Sequence, residues 1–147
     1  DLLIDNETFK VVVNSTPLIS IDLLVKKNKY FLLGKRSNKP AQGYLFSVGG
    51  RVYKNEKINS AILRIAKNEL DIDLKSSPRF IGVFEHFYDD SIYKDISTHY
   101  INLAYEIELE EIPNLPKDQH SGYKWLTVND LLLDSQVHKY VKDYFKN

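Results

Sequence analysis

A carboxylate set into the apolar face of a helix is the strongest constraint in this chain. Between Ile58 and Leu70, the residues Ile58, Ile62, Ile65 and Ala66 recur at helical spacing and make one apolar stripe. At about 100° per residue, Glu69 projects only about 20° from Ile58, near the middle of that stripe. Its carboxylate therefore meets the core rather than water, and a buried ion is costly unless it is paired, hydrogen-bonded or bound to a metal. The candidate partners are Arg64 or another nearby arginine, and Mg2+. A rim position in a purely structural ion pair is the alternative.

The remaining residues can supply the core that this helix needs. The chain has 147 residues, 43% of them hydrophobic and 12% aromatic, which suits one globular domain over residues 1–147. Twenty basic residues balance twenty acidic ones, so no overall field draws nucleic acid or an anionic membrane, and an anion must be caught by a local site. With no cysteine there is no disulfide, thiol nucleophile or thiolate metal site. No apolar run reaches the length of a membrane span or a signal-peptide core, so a cytoplasmic protein is expected. The absence of methionine implies that Asp1 is not the translation start.

Helix and strand patterns alternate along the chain without internal repeats. Asn6 is the expected cap of a short helix from Glu7 to about Asn14, with Phe9, Val12 and Val13 on its apolar side. Leu18 to Val25 reads as a buried strand that turns at Asn28 into Tyr30 to Gly34. A polar loop from Lys35 to Gly43 leads to a short strand, Leu45 to Val48, and then to a Gly49-Gly50 turn. Arg79 to Tyr88 and His99 to Ile107 are strands joined by the acidic loop Asp89 to Ser97, and Tyr123 to Leu126 is a last strand. Val137, Tyr140, Val141, Tyr144 and Phe145 recur as one closing helix. Mixed strands flanked by helices give an α/β (α+β) fold of three layers. The aromatic cluster Phe84, Phe87 and Tyr88 is expected in the core in preference to a guanine platform.

The spacing Gly50, Glu56, Arg64, Glu69, Ile72 resembles the Nudix box, the loop and helix that hold a divalent metal against a nucleoside diphosphate. Ile65 and Asn68 stand where that family normally has Glu, and Asp71 where it has glycine. Further stretches resemble one branch of the family, the GDP-mannose mannosyl hydrolases. They include Asn14 to Leu18, Ser20 to Asp22, Phe31 to Arg36, Pro40 to Tyr44, Gly49 to Val52, His86 to Asp90, Thr98 to Tyr100 and Gln119-His120. That branch lacks the same box carboxylates and cleaves the bond between the sugar C1 and oxygen instead of a phosphorus-oxygen bond. Leu45 replaces an aromatic residue usual in the branch, and Ser47-Val48 replace the residues, including a proline, that usually precede the glycine pair. GDP-mannose, GDP-glucose and GDP-fucose therefore all remain open as substrates.

The resemblance implies a Nudix-type α/β/α sandwich with a mixed central sheet and a set of residue roles. Glu69, the backbone carbonyl of Gly49 and the side-chain oxygen of Gln119 would ligate Mg2+, for which Mn2+ could substitute; all are hard oxygen donors. His120 would be the general base. Arg51 and Arg64 would bind the diphosphate and steady the departing GDP, helped by the Tyr100 hydroxyl. Arg64 also has a structural reading, as partner of Glu56 or Glu69. Asp22 interrupts the apolar run from Leu18 to Val25, where it either pairs with a neighbour such as Arg36 or binds ligand. By resemblance, Asp22, Arg36 and His86 would line the sugar pocket, Asp22 and Arg36 also stabilising charge there. A homodimer is implied too, through the N-terminal helix or an exposed aromatic C-terminal helix. The competing functions are a conventional pyrophosphohydrolase giving GMP and sugar 1-phosphate, and a non-catalytic nucleotide-sugar binding module.

Overall fold

The computed structural model describes residues 3–115 and 120–146, with positions 120 and 121 described by their backbone. Asp5 caps α1 (Asn6–Ser15), its carboxylate accepting from the Thr8 amide at 2.9 Å, one residue before the cap expected at Asn6. The apolar side of α1 puts Phe9 and Val13 into a small cluster with Leu18 and Ile96. β1 (Leu18–Lys27) and β2 (Tyr30–Arg36) follow, joined through Asn28 in the left-handed region at φ 55°.

The next segment departs from the sequence expectation. Instead of one strand ending in a glycine turn, the chain forms β3 (Leu45–Phe46), breaks at Ser47, and resumes as β4 (Val48–Arg51), with Gly49 and Gly50 inside the strand. The sheet explains the difference. β2 pairs with β1 only at Lys26 and Lys27, so the remaining edge of β1 is free, and β4 takes it, setting Gly49 opposite Asp22 and Gly50 opposite Ile21. One edge of β1 is thus shared between two diverging strands. Its other edge pairs in parallel with β6 (Thr98–Glu108) from Leu18 to Lys26. β5 (Arg79–Tyr88) lies antiparallel outside β6, and β7 (His120–Leu126) antiparallel to β2. β1–β6 is the parallel pairing in an otherwise antiparallel, mixed sheet.

Helices cover both faces, as the alternation of β1 requires. Ile21, Leu23 and Val25 join Ala61, Ile62, Ile65, Ala66 and Leu70 of α2 (Ile58–Leu70) in the main core. Ile62, Ile65 and Leu70 are 1% exposed or less, and burial of each contributes about 1.5–3 kcal/mol. Leu24, on the other face, packs with Leu131 of α3 (Val128–Leu133) and Val141 of α4 (Lys139–Asp143). The sequence pattern gave no separate α3 and made α4 longer. Val137 instead bridges to Leu45, and His138 caps α4 by accepting from the Tyr140 amide through Nδ1 at 3.1 Å. One side of α4 packs against the sheet, with Val141 fully buried and the following Tyr144 6% exposed. At the end of α2, Asp71 adopts the left-handed cap conformation at φ 54° that a glycine usually fills, its amide bonding to the Lys67 carbonyl.

Candidate active site

Where β2 and β4 diverge from β1, a cleft of about 260 Å3 opens between the sheet and α2. Asp22, Arg36, Gly49, Arg51, Arg64, Glu69, His86 and Tyr100 all line it, so it gathers every expected site residue other than Gln119 and His120. Gln119 lies outside the described residues. Of His120 the backbone alone is described, and it pairs opposite Arg36 at the start of β7. The glycine pair lets the elements close around this space. A Cβ at Gly49 would sit against the Ile21 carbonyl and 2.6 Å from Asp22 Oδ1, and one at Gly50 would sit 3.1 Å from Ile65.

Of the two carboxylates expected as structural partners of Arg64, the one it meets is Glu56. Its Nε and Nη2 reach the two Glu56 oxygens at 2.7 and 2.9 Å, and Nη2 also donates to the Arg51 carbonyl at 2.7 Å. That pairing holds the Glu56 carboxyl below its ordinary range. Tyr53 lies beneath both guanidiniums, 3.8 Å from Arg64 and 5.1 Å from Arg51, with Phe9 4.9 Å from Arg51 on α1. Arg51 Nη2 is buried without a hydrogen-bond partner among the described residues, an arrangement suited to an anion arriving in the cleft.

Glu69, only 7% exposed, has no hydrogen bond or ion pair to any described residue. Burial raises its pKa to about 7, against the attraction of Arg36. It is the one acidic side chain of α2: Ile65 is core, and Asn68 presents an amide to the cleft. Among the described residues no three His, Cys, Asp or Glu side chains converge. The carboxylate of Glu69 is a hard oxygen donor that fits a divalent cation completed by ligand oxygens.

Asp22 does not form the ion pair with Arg36. Arg36 Nε donates instead to the Pro40 carbonyl at 2.9 Å, and the Asp22 carboxylate accepts from the Tyr144 hydroxyl. Burial raises the Asp22 pKa to about 6, with that hydrogen bond opposing the shift. The Tyr144 oxygen also lies 3.0 Å from Asn102 Oδ1 and 3.4 Å from His86 Nε2, while Asn102 Nδ2 donates to Ser20 Oγ at 2.8 Å. His86 stacks on Tyr140 with centroids 4.3 Å apart and planes 4° from parallel.

The pattern of the NUDIX domain family matches residues 17–145. This chain belongs to the Nudix family. Nudix hydrolases use divalent cations, in keeping with the lone Glu69 donor on the box helix. A curated relative, the low-salt glycan biosynthesis protein Agl8 of Haloferax volcanii, is 42% identical over 123 residues, 82% of this chain and 78% of that protein. The fold is also that of solved Nudix structures. A MutT protein from Methanosarcina mazei matches with TM-score 0.73 and 21% identity over 89% of this chain and 92% of its own. The NUDIX domain of Shewanella oneidensis NrtR, solved with ADP ribose, matches with TM-score 0.68 and 16% identity over 97% and 92%. Among the described residues of this Nudix chain, no helix is long and apolar enough to cross a membrane.

Sequence reasoning missed the tyrosines and Asn102 that hold the Nudix cleft. One signal was present: Tyr144 lies in an apolar helical stripe, and a buried tyrosine hydroxyl needs a partner just as Asp22 does. The aromatic cluster divides. Phe84 packs against Tyr144 at 4.8 Å, Tyr88 lines the cleft, and Phe87 is 59% exposed against His99.

These burials give the metal-free protein a definite pH profile. Asp22 and Glu69, raised to about 6 and about 7, favour folding below their unfolded pKa values, and that stability is lost as pH rises through the folded values. His86 and His138, both lowered to about 4 by burial, act with the opposite slope, losing stability as pH falls below about 6.5. With two groups on each slope over nearly the same range, melting temperature is expected to change little between about pH 4.5 and 7.5, as thermal melts across that range would reveal. A melting temperature rising through pH 7 would mean that Glu69 is ionised and stabilised in the metal-free protein.

Proposed function

We propose that this Nudix protein is a Mg2+-dependent hydrolase of GDP-hexoses that breaks the bond between the sugar C1 and oxygen with inversion, giving GDP and free sugar. The observation carrying this reading is the charge inventory of the cleft: three arginines, one of them paired with Glu56, face two carboxylates, and only one of those is on the box helix. Such a site binds a diphosphate well and is poor in the acids that gather several metals for attack on phosphorus. Attack on an anomeric carbon needs less, because the diphosphate has only to depart. A nucleotide-sugar substrate also accords with a relative named for glycan biosynthesis.

The residues divide the work along the cleft. Arg51 and Arg64 bind the diphosphate, with Arg64 fixed by Glu56 and Arg51 held between Phe9 and Tyr53. Burial raises the Tyr100 pKa, so its hydroxyl stays protonated and donates to a phosphate oxygen. Glu69, the Gly49 carbonyl and Gln119 would hold Mg2+. That ion, when bound, supplies electrostatic neutralisation of the leaving diphosphate. Asp22, Arg36 and His86 receive the hexose. His120 takes a proton from water as its oxygen bonds to C1, and the electron pair of the breaking C1–O bond goes to the β-phosphate oxygen of GDP. Attack from the face opposite the leaving group inverts C1. A cytoplasmic homodimer of one domain belongs to the same reading.

Incubation with GDP-mannose and Mg2+ in 18O-labelled water tests the proposal. Label on free mannose, appearing first as the β anomer beside unlabelled GDP, is the expected result. Label in GMP or mannose 1-phosphate would make the protein a conventional pyrophosphohydrolase. Binding without turnover of any GDP-hexose would make it a binding module.

A further inference from the structure

We propose that Tyr144 is a positioning residue that sets the cleft's selectivity for the hexose by fixing Asp22, an inference that rests on the GDP-hexose reading of the site. Tyr144 does not itself line the cleft. It stands behind it, placed by α4, with its ring edge-on to Phe84 and 6% exposed. From there one hydroxyl reaches cleft residues on three strands: it donates to Asp22 on β1, and its oxygen lies 3.0 Å from Asn102 Oδ1 on β6 and 3.4 Å from His86 Nε2 on β5. Asn102 extends the link to Ser20 at 2.8 Å.

Among the groups that hydrogen-bond the Asp22 carboxylate, Tyr144 comes ahead of Asn102 and Ser47. Arg36, the nearest candidate for an ion pair, spends its Nε on the Pro40 carbonyl, so the tyrosine, itself joined to Asn102, is the foremost restraint on the carboxylate. The opposite end of the cleft is braced by a different set of residues, Glu56 on Arg64 and Phe9 and Tyr53 on Arg51. Loss of the hydroxyl therefore acts on the end that meets the sugar and spares the end that meets the diphosphate. A buried tyrosine with a merely structural role would disturb both.

The test compares the wild-type protein with Tyr144→Phe, Asp22→Asn and the double variant. Calorimetric affinities for GDP-mannose and for GDP are measured with Mg2+, together with kcat and the melting temperature. Tyr144→Phe is expected to weaken GDP-mannose binding by about 5- to 20-fold and lower kcat by about 10- to 100-fold, with GDP affinity within about twofold of wild type. In the Asp22→Asn background the same change should cost less than about twofold, because the group through which it acts is already gone. Equal weakening of GDP and GDP-mannose, or a full penalty when Asp22→Asn is already present, overturns the proposal. Should Tyr144→Phe fail to fold, Asp22→Asn decides alone, since an unchanged ratio of GDP-mannose to GDP affinity removes Asp22 from hexose recognition. A wild-type protein that releases no free hexose refutes the reaction, while the affinity comparison still judges Tyr144.

Discussion

Glu69→Gln is expected to lower metal-dependent turnover by at least about 10²-fold and, with no metal present, to melt above the wild-type protein at pH 8. Both effects come from one carboxylate held in the wrong solvent. Glu69 is 7% exposed, has no described hydrogen-bond partner, and has its pKa raised to about 7 by burial. Above that pH it is ionised in the folded state at a cost, which the neutral amide of glutamine avoids; the difference is on the order of 1–3 kcal/mol. Added Mg2+ should reverse the ranking, raising the wild-type melting temperature and leaving Glu69→Gln unchanged. Melting curves with EDTA and with Mg2+, alongside turnover against metal concentration, check both halves. Equal stabilisation of the two proteins by Mg2+ would show that another group holds the ion.

His120→Gln is expected to lower kcat by about 10² to 10⁴ with nucleotide affinity nearly intact, the loss appropriate to a general base. The backbone register supports its place in the reaction: residue 120 opens β7 opposite Arg36, which lines the cleft. Histidine is the residue type whose ordinary pKa suits accepting a proton near neutrality. Steady-state kinetics and GDP titration of the variant separate the two quantities. A near-normal rate removes His120 from the mechanism, and a parallel loss of GDP affinity assigns it to binding instead.

Periodicity in the sequence located α2 at Ile58–Leu70, because burial along a helix follows the repeat of the helix itself, and residue pattern located β5 at Arg79–Tyr88. Periodicity also identified Glu69 as a carboxylate in the wrong solvent, since an angle along one helix depends on nothing outside that helix. The family resemblance grouped Asp22, Arg36, Gly49, Arg51, Arg64, Glu69, His86 and Tyr100, which all line one cleft. Pairings between distant segments were not legible. The Gly49-Gly50 segment became a strand because β2 leaves much of one edge of β1 open, a fact about three strands at once. The partner of Asp22 proved to be Tyr144, separated from it by 122 positions, and not Arg36, only fourteen positions away. The sequence by itself determined which residues carry charge into the interior, because burial follows local periodicity. Only the tertiary structure decided which donor meets each charge, since that depends on where the sheet and the C-terminal helix bring separate segments together.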